Sequence, residues 1–464
     1  SDVTSDLGTA LNKTDLLSQT YFVGDKGFEI SDYTINYKKG TTTITGYSIS
    51  YYGTAKNRAT SASPDDALAM SMSYSKDLVT DLATASKAIS DVTSDLGTAL
   101  NKTDLLSQTY FVGDKGFEIS DYTINYKKGT TTITGYSISY YGSAKNRATS
   151  ASPDDALAMS MSYSKDLVTD LATASKTISD ITSNLGTALN KTDLLSQTYF
   201  VGDKGFEISD YTINYKKGTT TITGYSISYY GSAKNRATSA SPDDALAMSM
   251  SYSKDLVTDL ATASKTISDI TSNLGTALNK TDLLSQTYFV GDKGFEISDY
   301  TINYKKGTTT ITGYSISYYG TAKNRATSAS PDDALAMSMS YSKDLVTDLA
   351  TASKTISDIT SNLGTALNKT DLLSQTYFVG DKGFEISDYT INYKKGTTTI
   401  TGYSISYYGT AKNRATSASP DDALAMSMSY SKDLVTDLAT ASKAISDVTS
   451  DLGVALNKTD LLSQ

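Results

Sequence analysis

The chain has 464 residues, a net charge of −9, and no His, Cys or Trp. Without imidazole or thiol it lacks the commonest general bases, nucleophiles and N/S metal ligands, and it can form no disulfide. An acidic chain also lacks the basic face that nucleic acid requires and the polybasic patch that anionic lipid requires, and no apolar run reaches the ~18 residues of a membrane span.

Internal repetition dominates the sequence. The phrase SDVTSDLG, or a close variant, begins at Ser1, Ser90, Ser179, Ser268, Ser357 and Ser446, always 89 residues apart. Repeats of this kind are to be recognised before any fold is argued. Residues 1–19 read as the helix end of a preceding repeat, followed by repeats over 20–108, 109–197, 198–286, 287–375 and 376–464. The copies differ only mildly: Val92 becomes Ile181, and Asp95 becomes Asn184. No signal peptide is visible, but the first residue lies inside a repeat, so the chain reads as an excerpt of a longer protein.

Within one repeat, Thr20–Gly53 is rich in Tyr, Ile, Thr and Phe and punctuated by glycine, which is strand vocabulary. The spacing predicts strands over 20–23, 28–37 and 41–52. Turns are expected at Gly24-Asp25-Lys26-Gly27 and Lys38-Lys39-Gly40. The apolar phase slips by one near Ser31-Asp32, which predicts a bulge. A polar linker, TAKNRATSA, follows over Thr54–Ala62. Ser63-Pro64-Asp65-Asp66 then has the composition of a helix start: a capping hydroxyl, a first-turn Pro, and two acids for the positive end of the dipole.

From Pro64 to Ser107, Leu78, Leu82, Ala85, Ile89, Val92, Leu96, Ala99, Thr103 and Leu106 recur at alternating steps of four and three. The pattern predicts one heptad-patterned helix of roughly 66 Å, with a break into two helices at Gly97 as the alternative. A ten-residue strand covers only about 33 Å, so the sheet of one repeat cannot shelter such a helix. The stripe Leu78, Leu82, Ala85, Ile89, Val92, Leu96, Ala99 and Leu106 is therefore the expected packing surface. It would face sister chains in a homo-oligomer, a trimer before a dimer, or the helices of neighbouring repeats. The expected fold class is an α+β tandem repeat, each unit a three-stranded antiparallel meander plus one long helix, built as a fibrous stalk or alternatively as a side-by-side α/β solenoid.

The order heptad helix, LLSQTYFV, three strands, SPDD, heptad helix resembles the trimeric autotransporter adhesins of bacteria. That resemblance implies coiled-coil stalks interrupted by small β domains, at the cell surface. More loosely, near-identical units rich in Asp, Thr, Ser and Tyr look like giant bacterial surface and biofilm proteins.

Chemistry is sparse. Adjacent Asp65 and Asp66 point apart on a helix and suit capping better than acid–base work. Gly24-Asp25-Lys26-Gly27 lacks phosphate-loop spacing and reads as a turn. Asp25, Glu29 and Asp32 offer oxygens for calcium, without any recognised loop spacing. No catalytic, cofactor-binding or metal residue emerges, and no cofactor is expected. The chain has 35 Tyr, seven per repeat. Tyr33, Tyr37, Tyr47, Tyr51 and Tyr52 either fill the small sheet or offer rings to a glycan or matrix partner. The expected function is the non-enzymatic structural repeat region of an extracellular filament, adhesin stalk or biofilm matrix protein. The alternative is a multivalent glycan- or matrix-binding array.

Overall fold

The computed structural model describes residues 16–37, 44–75, 105–128, 130–164, 194–253, 283–342, 372–418, 422–430 and 461–463. Every regular element among them is a β-strand. The chain divides into two compact units, one holding residues 1–244 and the other 245–253 and 265–464, with 254–264 assigned to the first.

In the first unit, β1 (Ser18–Val23), β2 (Ile30–Tyr37) and β3 (Ile44–Tyr52) form an antiparallel meander. The bulge expected at Ser31-Asp32 is there: Tyr21 pairs with Tyr33 and Phe22 with Ser31, leaving Asp32 as the extra residue. After β3 the chain makes the two-residue strand β4 (Asn57–Arg58), which pairs with Tyr51 and Tyr52. It then makes β5 (Leu68–Tyr74), which runs antiparallel along β3. Because β5 occupies one edge of β3 at Tyr51 and Tyr52, β4 takes the other, beyond the end of β2.

Here the structure corrects the helix. Residues 68–74 and 105–107, both inside the span expected to be helical, are strand. The sequence LAMSMSY alternates: Leu68, Met70, Met72 and Tyr74 share one face, while Ala69, Ser71 and Ser73 share the other. A period of two has won over the start signal at Ser63. The turn itself is made, with the Ser63 Oγ accepting from Asp65 N–H at 3.3 Å and an Asp66 carboxylate oxygen accepting from Ser63 N–H at 2.9 Å. These are the bonds of a helix cap, but the chain that follows extends. A capping turn satisfies local donors and does not decide what comes after it.

The next strand, β6 (Leu105–Val112), pairs antiparallel with β5, with Tyr74 opposite Leu105 and Met70 opposite Tyr110. The chain therefore leaves the sheet at Tyr74 and re-enters it at that residue's cross-strand partner. A helix serving as a rod between sheets would separate these ends, so the α+β stalk is overturned. The α/β solenoid falls with it, since no helix occurs among the described residues. Leu106 lies in strand, not on a helical stripe, whereas Leu78, Leu82, Ala85, Ile89, Val92, Leu96, Ala99 and Gly97 lie outside the described residues. Coiled-coil association of chains has no support among the described residues.

The same elements recur as β7 (Ile119–Tyr126), β8 (Ile133–Tyr141), β9 (Asn146–Arg147), β10 (Leu157–Tyr163), β11 (Leu194–Val201), β12 (Ile208–Tyr215), β13 (Ile222–Tyr230) and β14 (Asn235–Arg236). The ladder of the first unit thus runs β1-β2-β3-β5-β6-β7-β8-β10-β11-β12-β13, antiparallel throughout. The second unit begins at β15 (Leu246–Tyr252) and continues the same cycle to β26 (Leu461–Ser463).

Alternation along each strand sorts the side chains onto two faces. One carries Tyr33, Ile35, Tyr47, Ile49 and Tyr74, clustered with Leu105 at the start of β6. Tyr21 stacks on Tyr33 with ring centroids 4.5 Å apart, and Tyr47 on Tyr74 at 5.6 Å. The other face carries hydroxyls in cross-strand contact: Thr20 with Thr34 at 3.0 Å, Ser31 with Ser50 at 3.2 Å and Ser48 with Ser73 at 3.4 Å. Gly135 lies where β8 passes β10, and a Cβ there would run into the carbonyl oxygen of Tyr163. Tight ladder contact explains why that strand position carries no side chain.

Candidate functional site

The most developed site among the described residues is the joint between one repeat and the next, and it is built on the bulge. The extra residue in β2 turns Asp32 inward, where its side chain is fully buried. The β3–β4 hairpin brings Arg58 over it. The guanidinium donates from Nε to Oδ1 at 2.9 Å and from Nη2 to Oδ2 at 2.7 Å, a two-point pairing. Asp121–Arg147, Asp210–Arg236, Asp299–Arg325 and Asp388–Arg414 repeat it. Burial pushes the Asp121 carboxyl up from its ordinary value, against the opposing pull of Arg147. Tyr52 pins the bulge by donating to the Ser31 carbonyl at 2.7 Å.

The hairpin that carries Arg58 also presents Lys56 in the left-handed region, at φ 53°. Its ammonium lies 5.9 Å from the ring centroid of Tyr110, on β6 of the next repeat. From the other side, the turn between β6 and β7 returns two contacts. Glu118 accepts the Leu68 N–H at 2.9 Å through one oxygen and the Gly116 N–H of its own turn at 2.9 Å through the other. Lys115 donates to the Pro64 carbonyl at 2.5 Å. The joint recurs between the second and third repeats, with Leu157 N–H on Glu207 at 2.8 Å and Lys145 at 6.0 Å from Tyr199. It recurs again in the second unit, with Leu335 N–H on Glu385 and Lys323 over Tyr377. Burial lowers the Lys145 ammonium from its ordinary value.

Between these contacts lies a cleft of about 730 Å³, lined by Lys56, Asp65, Leu68, Tyr110, Asp114 and Lys115 among others. It falls within the 300–1,000 Å³ typical of small-molecule sites.

The residues singled out from sequence fall elsewhere. Tyr33, Tyr47 and Tyr52 are buried in the sheet, with no ring face exposed to a ligand, whereas Tyr37 and Tyr51 are half-buried and pack against the same core. Asp25, Glu29 and Asp32 do not converge. The Asp25 carbonyl closes the turn onto Phe28 N–H, Glu29 accepts Gly27 N–H, and Asp32 is held by Arg58. Among the described residues no acidic cluster is placed to hold a metal, and no helix is long and apolar enough to cross a membrane. The joint itself escaped sequence reasoning, yet a signal was available. Glu and Arg each occur five times, once per repeat, in a chain with abundant Asp and Lys. Those rare residues are the ones that reach.

No family model matches the chain, and no curated protein matches it. Among solved structures, a pore form of the Photorhabdus luminescens Tc holotoxin aligns over 92% of this chain at 9% identity and a TM-score of 0.18. This chain spans 19% of that one. A likeness so slight says nothing of fold or function.

Proposed function

We propose that this chain is the non-catalytic structural repeat region of an extracellular bacterial surface filament or biofilm matrix protein, in which copy number sets reach. The observation that carries this reading is the β5–β6 ladder: successive repeats are joined by backbone hydrogen bonds from strand to strand. Glu118, Lys115 and Lys56 then brace that ladder from both sides. Backbone pairing across a joint resists bending and shear without a large core, as a load-bearing surface protein needs. The lack of His and Cys and the dispersed carboxylates agree with a role that performs no reaction.

Each repeat adds four strands to the ladder, so with strands about 4.8 Å apart it lengthens the sheet by about 19 Å before twist shortens it. Small-angle scattering on shorter chains of two and three repeats beside the full chain tests this. Maximum dimension should rise by a constant step, at or somewhat below that value. A dimension that stops growing as repeats are added would mean the copies fold onto one another, and the reach-setting role would be lost.

A further inference from the structure

The geometry points to a second role for the joint: the cleft between repeats is a binding site for a neutral saccharide of about two sugar units. This is independent of the structural role proposed above, since it concerns what the joint holds and not how far it reaches.

Three observations converge. The first is the lining. Phe111 and Leu68 supply apolar surface, while Lys56 and Asp65 bring a donor and an acceptor to the same cleft; the Tyr110 ring is already taken, stacked on Tyr122 at 4.5 Å and faced by Lys56. Aromatic and polar groups in one pocket are what a sugar ring, with its apolar C–H face and its hydroxyl rim, requires. Both signs of charge line the cleft: Lys56 and Lys115 stand among Asp65, Asp66 and Asp114, while Asp121 is paired with Arg147. A strongly charged ligand would meet an opposing group. An extended peptide would find no strand edge to pair with, because β5 and β6 already bond each other there.

The second observation is strain. Lys56, Lys145, Lys234, Lys323 and Lys412 all hold positive φ, between 52° and 55°. Gly or Asn would adopt that backbone at lower cost, so a Lys held there carries strain that its side-chain contacts must offset. The ammonium lies over the Tyr110 ring and its residue lines the cleft, so it can donate to a molecule held there. The third observation is an unsatisfied acceptor. At the position equivalent to Asp65 in one joint of the second unit, Oδ2 of Asp332 is shielded from solvent and has no hydrogen-bond partner among the described residues, whereas Asp65 itself is exposed. A buried carboxylate oxygen without a donor calls for one, and a ligand hydroxyl supplies it. Because the joint recurs, weak sites would act together on a polymer.

Saturation-transfer NMR on the full chain with maltose, cellobiose and N,N′-diacetylchitobiose, each alone, tests the inference. At least one should receive saturation on its ring protons, with millimolar affinity. Lys56→Gly, made together with the same change at Lys145, Lys234, Lys323 and Lys412, should weaken that binding at least tenfold; relief of backbone strain opposes the lost cation–π contact in stability, and a retained far-UV strand signal shows that the variant folds. If that variant fails to fold, Asp65→Asn with its counterparts in the other repeats replaces it and should weaken binding by a similar factor. Absence of transfer to all three sugars overturns the site, as does binding unchanged in the folded variant. The scattering step per repeat is unaffected by either result, so failure here is distinguishable from failure of the structural reading.

Discussion

Asp121 is a buried charge whose partner is fixed by one extra residue in a strand. Deleting the carboxylate leaves Arg147 largely shielded and uncompensated, so Asp121→Ala should destabilise its repeat by about 3–5 kcal/mol. Loss of amide-exchange protection in β7 and β8 would register it, and unchanged protection would mean the pair is exposed in solution. A second residue-scale expectation concerns tyrosine. Burial pushes Tyr110, Tyr122, Tyr163 and Tyr211 above the ordinary value of 10.0. A group whose folded value is raised stabilises fully below its unfolded value, and that contribution disappears as pH climbs through the folded one. Stability should therefore hold up to about pH 10 and fall steeply above it. Absorbance near 295 nm should show a fraction of tyrosines ionising only as strand signal is lost. Smooth, independent titration of all 35 would contradict the burial.

At the scale of elements, β10 tests whether period two or period three-and-a-half governs LAMSMSY. Met159 is buried at 5% exposure while its neighbour Ser160 faces the hydroxyl side. Met159→Ala should cost about 2–5 kcal/mol and Ser160→Ala within about 0.5 kcal/mol, measured by denaturant unfolding. Comparable costs would mean the two faces are not distinct. The joint between elements has its own test. Glu118→Asp shortens the side chain by one methylene and should forfeit the bond to Leu68 N–H while keeping the charge. A loss of about 1 kcal/mol is expected for this part-exposed contact, with fraying between β5 and β6 visible by hydrogen exchange. An unaltered exchange pattern would remove Glu118 from the joint. The meander, its turns and the bulge at Asp32 were legible in the sequence because each has a local cause: alternation, positive-φ glycine, a slip of phase. Ser63-Pro64-Asp65-Asp66 misled because the same side-chain bonds cap a helix or close a turn before a strand. The linker TAKNRATSA hid Arg58, whose role depends on Asp32, 26 residues away.

For the whole molecule, nearest-neighbour joints imply that stability rises with repeat number and then levels off. Chains of two, three and five repeats should show unfolding midpoints that climb and converge, and midpoints independent of copy number would mean that the repeats fold alone. The sequence by itself determined the 89-residue period, the absence of imidazole and thiol chemistry, and the strand character of most of residues 20–23, 30–37 and 44–52, because composition and short-range alternation are properties of the chain. Only the tertiary structure decided that β5 and β6 are strands paired across the repeat boundary. It also decided that Asp32 belongs to Arg58 and that the cleft is assembled from Lys56 of one repeat and Tyr110 of the next. The alternation of LAMSMSY competes with the helix-start signal at Ser63, in a short segment dense in Ser, Ala and Met. What breaks the tie is the ladder partner, and hydrogen bonding to a distant strand cannot be read from the residues that receive it.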